Sequence, residues 1–230
     1  MPRVRRGHRV ADLAVALLDG PRLAGPLAAR TGADVVATTA ADHIDVAAGL
    51  GIDDRLVVGL SPVPWPTRAT LHAEASATLP AYTGVVSWHA LPALHDALAD
   101  AVAPAAARGA HVLITAPDPG ADAEPEDVTF LREVAEGVTA RGQLPRSSVA
   151  WRGTSRAPTA ATALEALVTT HGQIDVVECP VAPGTGSDAS LTAAGERLGV
   201  RVTTADLGRD TLLDLLATVV RTVAHHEGAA

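Results

Sequence analysis

Short valine-rich runs bounded by turn residues alternate along the chain with longer stretches where alanine and leucine recur at three- and four-residue spacing. The short runs read as strands, the longer ones as helices, and their alternation as βαβ units closing a parallel sheet. Seven strands are predicted: ADVVATT (33–39), RLVVGLS (55–61), GVVSWH (84–89), AHVLITAPD (110–118), SSVAWRG (147–153), IDVVECPV (174–181) and VRVTTAD (200–206). Most are nearly continuous apolar runs, the pattern of strands covered on both faces.

The helices carry readable ends. In 90–108, Leu91, Leu94, Leu98 and Val102 form one face, Pro92 sits in the first turn and Gly109 follows the run. Pro104 is expected to kink or end that helix after Ala103. Residues 125–140 open with Pro125, Glu126 and Asp127, acids suited to the positive end of a helix, and stop at Gly142. Residues 157–171 place Leu164, Leu167 and Val168 on one face before Gly172, and 188–198 and 211–226 complete the set, with Ser187 and Asp210 as expected N-caps. A proline-stiffened connector (61–66) and an acidic loop (116–125) each follow a strand, and no internal repeat is legible. The predicted fold is one three-layer Rossmann-like α/β sandwich over residues 1–230, with a mostly parallel sheet of about seven strands and tails at 1–7 and 227–230.

Composition narrows the chemistry. Apolar residues make up 47% of the 230 but aromatics only 2%, so the core must be built from alanine, valine and leucine. The chain has no lysine and no asparagine. That removes a Walker-type phosphate loop, a lysine Schiff base and an asparagine oxyanion donor. A formal charge of -8 is the wrong sign for a nucleic-acid partner, and the cluster Arg3, Arg5, Arg6, His8 and Arg9 reads as a solvated tail. A single cysteine, Cys179, forms no internal disulfide and fits a reducing compartment. With no signal-like segment and no run of about 20 apolar residues, a soluble cytoplasmic protein without a membrane span is expected. No HExxH motif occurs and His225-His226 lie in the C-terminal tail, so no metal and no intrinsic cofactor are expected.

In an open parallel sheet, ligands bind beyond the carboxyl ends of the strands. The residues there are Thr38, Thr39, Ser61, Trp88, His89, Asp118, Asp122, Trp151, Arg152, Glu178, Cys179 and Asp206. His89 and Glu178 are the acid/base candidates; Arg152 and Asp118 are ligand-contacting candidates. The loop Cys179-Pro-Val-Ala-Pro-Gly-Thr-Gly-Ser-Asp188 stands out, because Gly184 and Gly186 permit positive φ beside a helix start. Such a turn aims N–H groups at a phosphate, with Thr185 and Ser187 as further contacts. Its spacing departs from the dinucleotide G-x-G-x-x-G pattern, and a plain Gly-rich turn accounts for it equally well. His89 and His95, six residues apart, share no helix face. Cys179 has no local histidine partner and reads as a buried apolar residue.

The order of pieces from about 84 to 230 resembles the C-terminal, nucleotide-sugar-binding domain of glycosyltransferases with the GT-B fold. GVVSWHALPALHDALADAV, HVLITAPDPG, SVAWRG and IDVVECPV carry that order, and PGTGSDASLTAAGERLGVRVTTADLGRDTL is the part most similar to the family. The resemblance implies a nucleotide-sugar substrate and glycosyl transfer, with Gly184, Gly186 and Ser187 matching the phosphate-side turn. Departures accompany it: the family's acidic position in the following helix falls near Ala194, and its Arg/Lys pair is not evident. Ligand binding without catalysis is the alternative, with a phosphoribosyltransferase-like loop ranked lower because only Glu178 precedes the turn. Homo-oligomerisation, or a partner subunit that completes the site, stays open.

Overall fold

A computed structural model describes residues 13–18, 21–38, 56–61, 82–87, 91–118, 125–153, 156–181 and 187–226. The chain divides into two compact units: 1–88 with 210–230, and 89–209. The first contains β1 (Leu13–Leu18), α1 (Pro21–Thr31), β2 (Asp34–Thr38), β3 (Leu56–Ser61) and β4 (Tyr82–Ser87). The second contains α2 (Pro92–Ala106), β5 (His111–Pro117), α3 (Pro125–Gly142), β6 (Ser147–Arg152), α4 (Ala160–His171), β7 (Val176–Pro180), α5 (Ala189–Leu198) and β8 (Val202–Thr204). A last helix, α6 (Arg209–His226), returns the chain to the first unit.

Each unit has its own four-stranded parallel sheet, in the orders β2-β1-β3-β4 and β6-β5-β7-β8. The parallel sheets and helices form a Rossmann-like α/β fold. The expected single sheet of about seven strands is therefore corrected to eight described strands in two sheets. All seven predicted strands are present within a few residues. The extra one, β1, is the run LAVALL, whose leucines and alanines carry no strand preference of their own.

In the second unit β5 and β7 are central and buried along nearly their whole length. Leu113 of β5 and Val176 of β7 pack with Ala160, Ala163 and Leu164 of α4 and Leu191 and Ala194 of α5 in one cluster. Val112 and Ile114 flank Leu113 in the strand, so they face the opposite side, and they are equally buried. Helices α2 and α3 pair with each other, α2 against β5 and β7 and α3 against β5 and β6, which gives a layer of helices on each face. Phe130 of α3 meets Trp151 of β6 edge-on at 5.8 Å between ring centres, a rare aromatic contact in this aliphatic core.

Three expected helix boundaries change. Pro104 does not end α2, which continues to Ala106. It falls in the last turn, where its neighbour Ala103 and Asp100, whose carbonyl loses the N–H, are exposed to water. The N-cap of α5 is Asp188, not Ser187. Asp210 is no cap either, since α6 starts one residue earlier. Its carboxylate instead meets Arg30 of α1 at 2.8 Å, alongside Asp214 at 2.9 Å.

Candidate functional site

In the second unit the chain leaves β5 for β6 on one side, then crosses back to β7 on the other. The carboxyl ends of β5 and β7 therefore flank the point where strand order reverses, the place where open α/β sheets form a crevice. Thr115 stands two residues beyond Leu113, hence on the face covered by α4 and α5. Glu178, opposite Leu113 in the register, reaches it there.

Glu178 is fully buried, and every hydrogen bond its carboxylate makes is one it accepts. Its Oε1 takes bonds from the Thr115 hydroxyl (2.9 Å) and from Arg152 Nε (3.0 Å) and Nη2 (2.7 Å). Its Oε2 takes one from the backbone N–H of Asp188 (3.1 Å) and a longer one from the Thr204 hydroxyl (3.4 Å). Arg152 Nε also donates to Thr115 Oγ1 at 3.2 Å. One carboxylate thus joins the ends of all four strands to the start of α5. Arg152 itself is only 11% exposed, so both charges are withdrawn from water. Such a pair is a poor source of net stability, because desolvation of each ion offsets their attraction. Position is what it provides.

Further out, Asp118 follows β5 and donates its backbone N–H to the Arg152 carbonyl at 3.0 Å. Its Oδ1 lies 3.7 Å from Arg156 Nε. Arg156 is brought there because 156–159 lies beside β6, bridged in parallel between Trp151 and Thr159, with Trp151 N–H donating to the Pro158 carbonyl at 2.9 Å. The Asp188 carboxylate accepts from the N–H groups of Ser190 (2.7 Å) and Leu191 (3.1 Å) and from the Ser190 hydroxyl. The N-terminus of α5 is thereby already engaged by two carboxylates, its own cap and Glu178.

Of the residues singled out in the sequence, Arg152, Glu178 and Asp118 come together at this edge, and Ser187 is exposed beside the cap of α5. His89, Gly184, Thr185 and Gly186 lie outside the described residues, as do Thr39, Trp88 and Asp122. Thr38 ends β2 in the first unit, Ser61 ends β3, and Asp206 is exposed beyond β8. Cys179 is buried, and burial, reinforced by the Glu178 charge, pushes its thiol up to about 12, in keeping with a buried apolar residue. Thr115, Arg156, Asp188 and Thr204 were not anticipated; a glutamate inside an apolar strand was the one signal that partners had to exist.

Among the described residues, the central pair of the first unit pairs only apolar positions in register. From Leu13 opposite Leu56 to Leu17 opposite Leu60, its β1–β3 partners are aliphatic or glycine throughout. At the other end of the second sheet, His111 is buried, with Nε2 2.9 Å from Ser148 Oγ, Nδ1 without a hydrogen-bond partner and the ring 6.4 Å from that of His171. Burial, then the neighbouring His171 and Arg146, lowers its pKa.

With this geometry in view, comparison with solved structures places the fold. The chain is similar to CbiX. That protein, described as the terminal enzyme for biosynthesis of siroheme in denitrifying bacteria, matches with a TM-score of 0.54 and 16% identity over 90% of this chain and 97% of its own. A periplasmic solute-binding protein of an ABC transporter from Actinobacillus succinogenes, with bound D-allose, matches at a TM-score of 0.47 and 10% identity over 92% and 91% of the two chains. No family model and no curated protein matches the sequence. At these identities the likeness is one of fold. The CbiX match supports the Rossmann-like class, while the glycosyltransferase resemblance rests on the sequence alone. Among the described residues no helix is long and apolar enough to cross a membrane, and no group of three or more His, Cys, Asp or Glu side chains is arranged to hold a metal ion.

Proposed function

We propose that the chain binds a small molecule at the carboxyl edge of its second sheet, in the crevice between β5 and β7. The observation that carries this reading is the buried Glu178–Arg152–Thr115 network at the strand-order reversal. A fold seeking stability alone gains little from withdrawing two charges from water there. Asp118 and Arg156 lie beside it, 3.7 Å apart. The sequence resemblance leads to a nucleotide-sugar as ligand, its phosphates toward the turn 184–187 and its sugar toward Asp118 and Arg156, with no intrinsic cofactor. Glycosyl transfer is the finer form of this reading and assigns acid/base work to His89. Cytoplasmic residence accompanies it, on the ground of a lone buried cysteine. A thermal-shift panel of nucleotides, nucleotide-sugars and free sugars tests the proposal: a ligand at 100 times its dissociation constant adds about 2.7 kcal/mol of stability. Stabilisation that is lost in Arg156→Ala and Asp118→Asn supports it, and a flat panel refutes it. Loss of sugar transfer, with binding retained, in His89→Ala separates catalysis from binding.

The likeness to CbiX over almost the whole of that protein favours a second reading, action on a siroheme-type tetrapyrrole. Titration with siroheme, followed by its visible absorbance, decides it. No spectral change at micromolar protein sets it aside.

A further inference from the structure

We infer that the amino edge of the second sheet is an acid-operated latch: closed over a neutral His111, it releases the end of α4 when that ring takes up a proton, while the carboxyl edge stays in place. His111 opens β5 and is held from both sides. Its backbone N–H donates to the Asp175 carbonyl ahead of β7 at 2.8 Å, and its Nε2 lies 2.9 Å from Ser148 Oγ on β6. Its side chain shares a face with Leu113, the face covered by α4 and α5. The ring of His171, the last residue of α4, stands 6.4 Å away.

One ring nitrogen has a partner, and Nδ1 is buried without one. A neutral imidazole carries a single N–H, which Ser148 can serve as donor or acceptor to match. The protonated ring carries two. Whichever nitrogen holds the proton at neutral pH, the charged ring therefore has an N–H at Nδ1 with no acceptor, and a buried charge besides. The charged groups that act on it, His171 and then Arg146 ahead of β6, both oppose that charge. Around them Glu165 of α4 is engaged by Arg197 of α5, and Arg108, Asp175 and Arg201, ahead of β5, β7 and β8, are exposed to water. The charged ring is relieved by reaching water itself. The end of α4 is the part that yields, because residues 169–173 are all exposed and have little buried surface to lose. Val112 to Ala116 and Val176 to Pro180 are buried throughout and stay closed.

Hydrogen exchange on the full chain, read by mass spectrometry at pH 7.5 and 5.5 with the chemical effect of pH removed, tests the latch. Exchange in 168–173 and 146–148 should accelerate, by up to about tenfold for each pH unit below the ordinary histidine value of about 6.5, with 113–116 and 176–179 unchanged. His111→Gln, whose amide can still meet Ser148 but takes up no proton, should abolish the response. His171→Gln removes one opposing neighbour and should alter the pH at which the response sets in. Should His111→Gln fail to fold, exchange of the imidazole C2 hydrogens in the parent chain reports the same event: His111 should titrate over the pH range in which 168–173 opens. A response that persists in His111→Gln, is unmoved in His171→Gln, reaches 113–116 and 176–179 equally, or fails to track the His111 titration overturns the proposal.

Discussion

Glu178 sits in a strand of otherwise apolar side chains, and every group bonded to its carboxylate donates to it. A glutamine there keeps the shape but turns an NH2 group toward the Asp188 N–H and Thr204 hydroxyl or toward Arg152 and Thr115. It also leaves the Arg152 guanidinium without its counter-charge. Glu178→Gln is therefore expected to cost about 3–5 kcal/mol in urea unfolding, the range for breaking a buried pair. Adding Arg152→Met should recover part of that loss, with a coupling energy of about 0.5–3 kcal/mol in the double-mutant cycle. Additive losses would contradict a coupled pair. His111 makes a pH prediction of definite sign. Its folded pKa lies below the ordinary value of about 6.5, so on acidification the unfolded chain takes up the proton first. Stability is full above the unfolded value and falls as pH drops from there toward the folded one. The neighbouring His171 and Arg146 oppose protonation too. The urea midpoint should decline from pH 7.5 to 5 in the parent and decline less in His111→Gln; equal slopes would place the dependence elsewhere. At this scale the sequence was legible where polarity broke a pattern, as at Glu178, or where a strand ended, as at Arg152 and Asp118. Thr115 and Thr204 left no mark, because threonine is an ordinary strand residue. Arg156 left none because its role depends on the segment 156–159 lying beside β6, a pairing across non-adjacent residues that no local pattern signals.

At the scale of elements, the start of α5 separates a cap from its neighbour. Ser187 and Asp188 are both cap-forming residue types, and the sequence favoured the serine one position too early. The structure gives Asp188 the bonds from Ser190 and Leu191, whereas Ser187 is exposed. Asp188→Ala should cost about 0.5–2 kcal/mol, the usual worth of a lost N-cap. Ser187→Ala should fall within about 0.5 kcal/mol of the parent, as surface changes do. Reversal of the two in thermal or urea unfolding would return the cap to Ser187. Strands with β-branched residues were legible to within a few positions. LAVALL was not, since an alanine- and leucine-rich run of six satisfies a buried helix as well as a buried strand. Its register with both β2 and β3 shows that tertiary pairing made the choice.

On the scale of the whole molecule, alternation along the chain counts βα pieces but does not tell where one sheet closes and another begins. Here the strand order of the first unit is repeated in the second, without a sequence repeat to announce it. The last helix adds a feature that no local pattern contains: α6 follows β8 of the second unit yet belongs to the first. Leu212, Leu213, Leu216, Ala217, Val220 and Ala224 form its buried face, at helical spacing. Arg30 contributes its pairs to Asp210 and Asp214 from α1, and Arg221 Nη2 donates to the Arg30 carbonyl at 3.0 Å. These surface pairs are screened by water and add little, so the apolar face must carry the attachment. Leu216→Ala should then cost about 2–5 kcal/mol, and Arg30→Ala far less. Deleting residues 210–230 removes the entire face while leaving the second unit's sequence whole. Hydrogen exchange read by mass spectrometry on the shortened chain should show lost protection in β1, β2 and β3, and retained protection in β5 and β7. Protection lost evenly across both sheets would mean instead that the two units fold as one cooperative body.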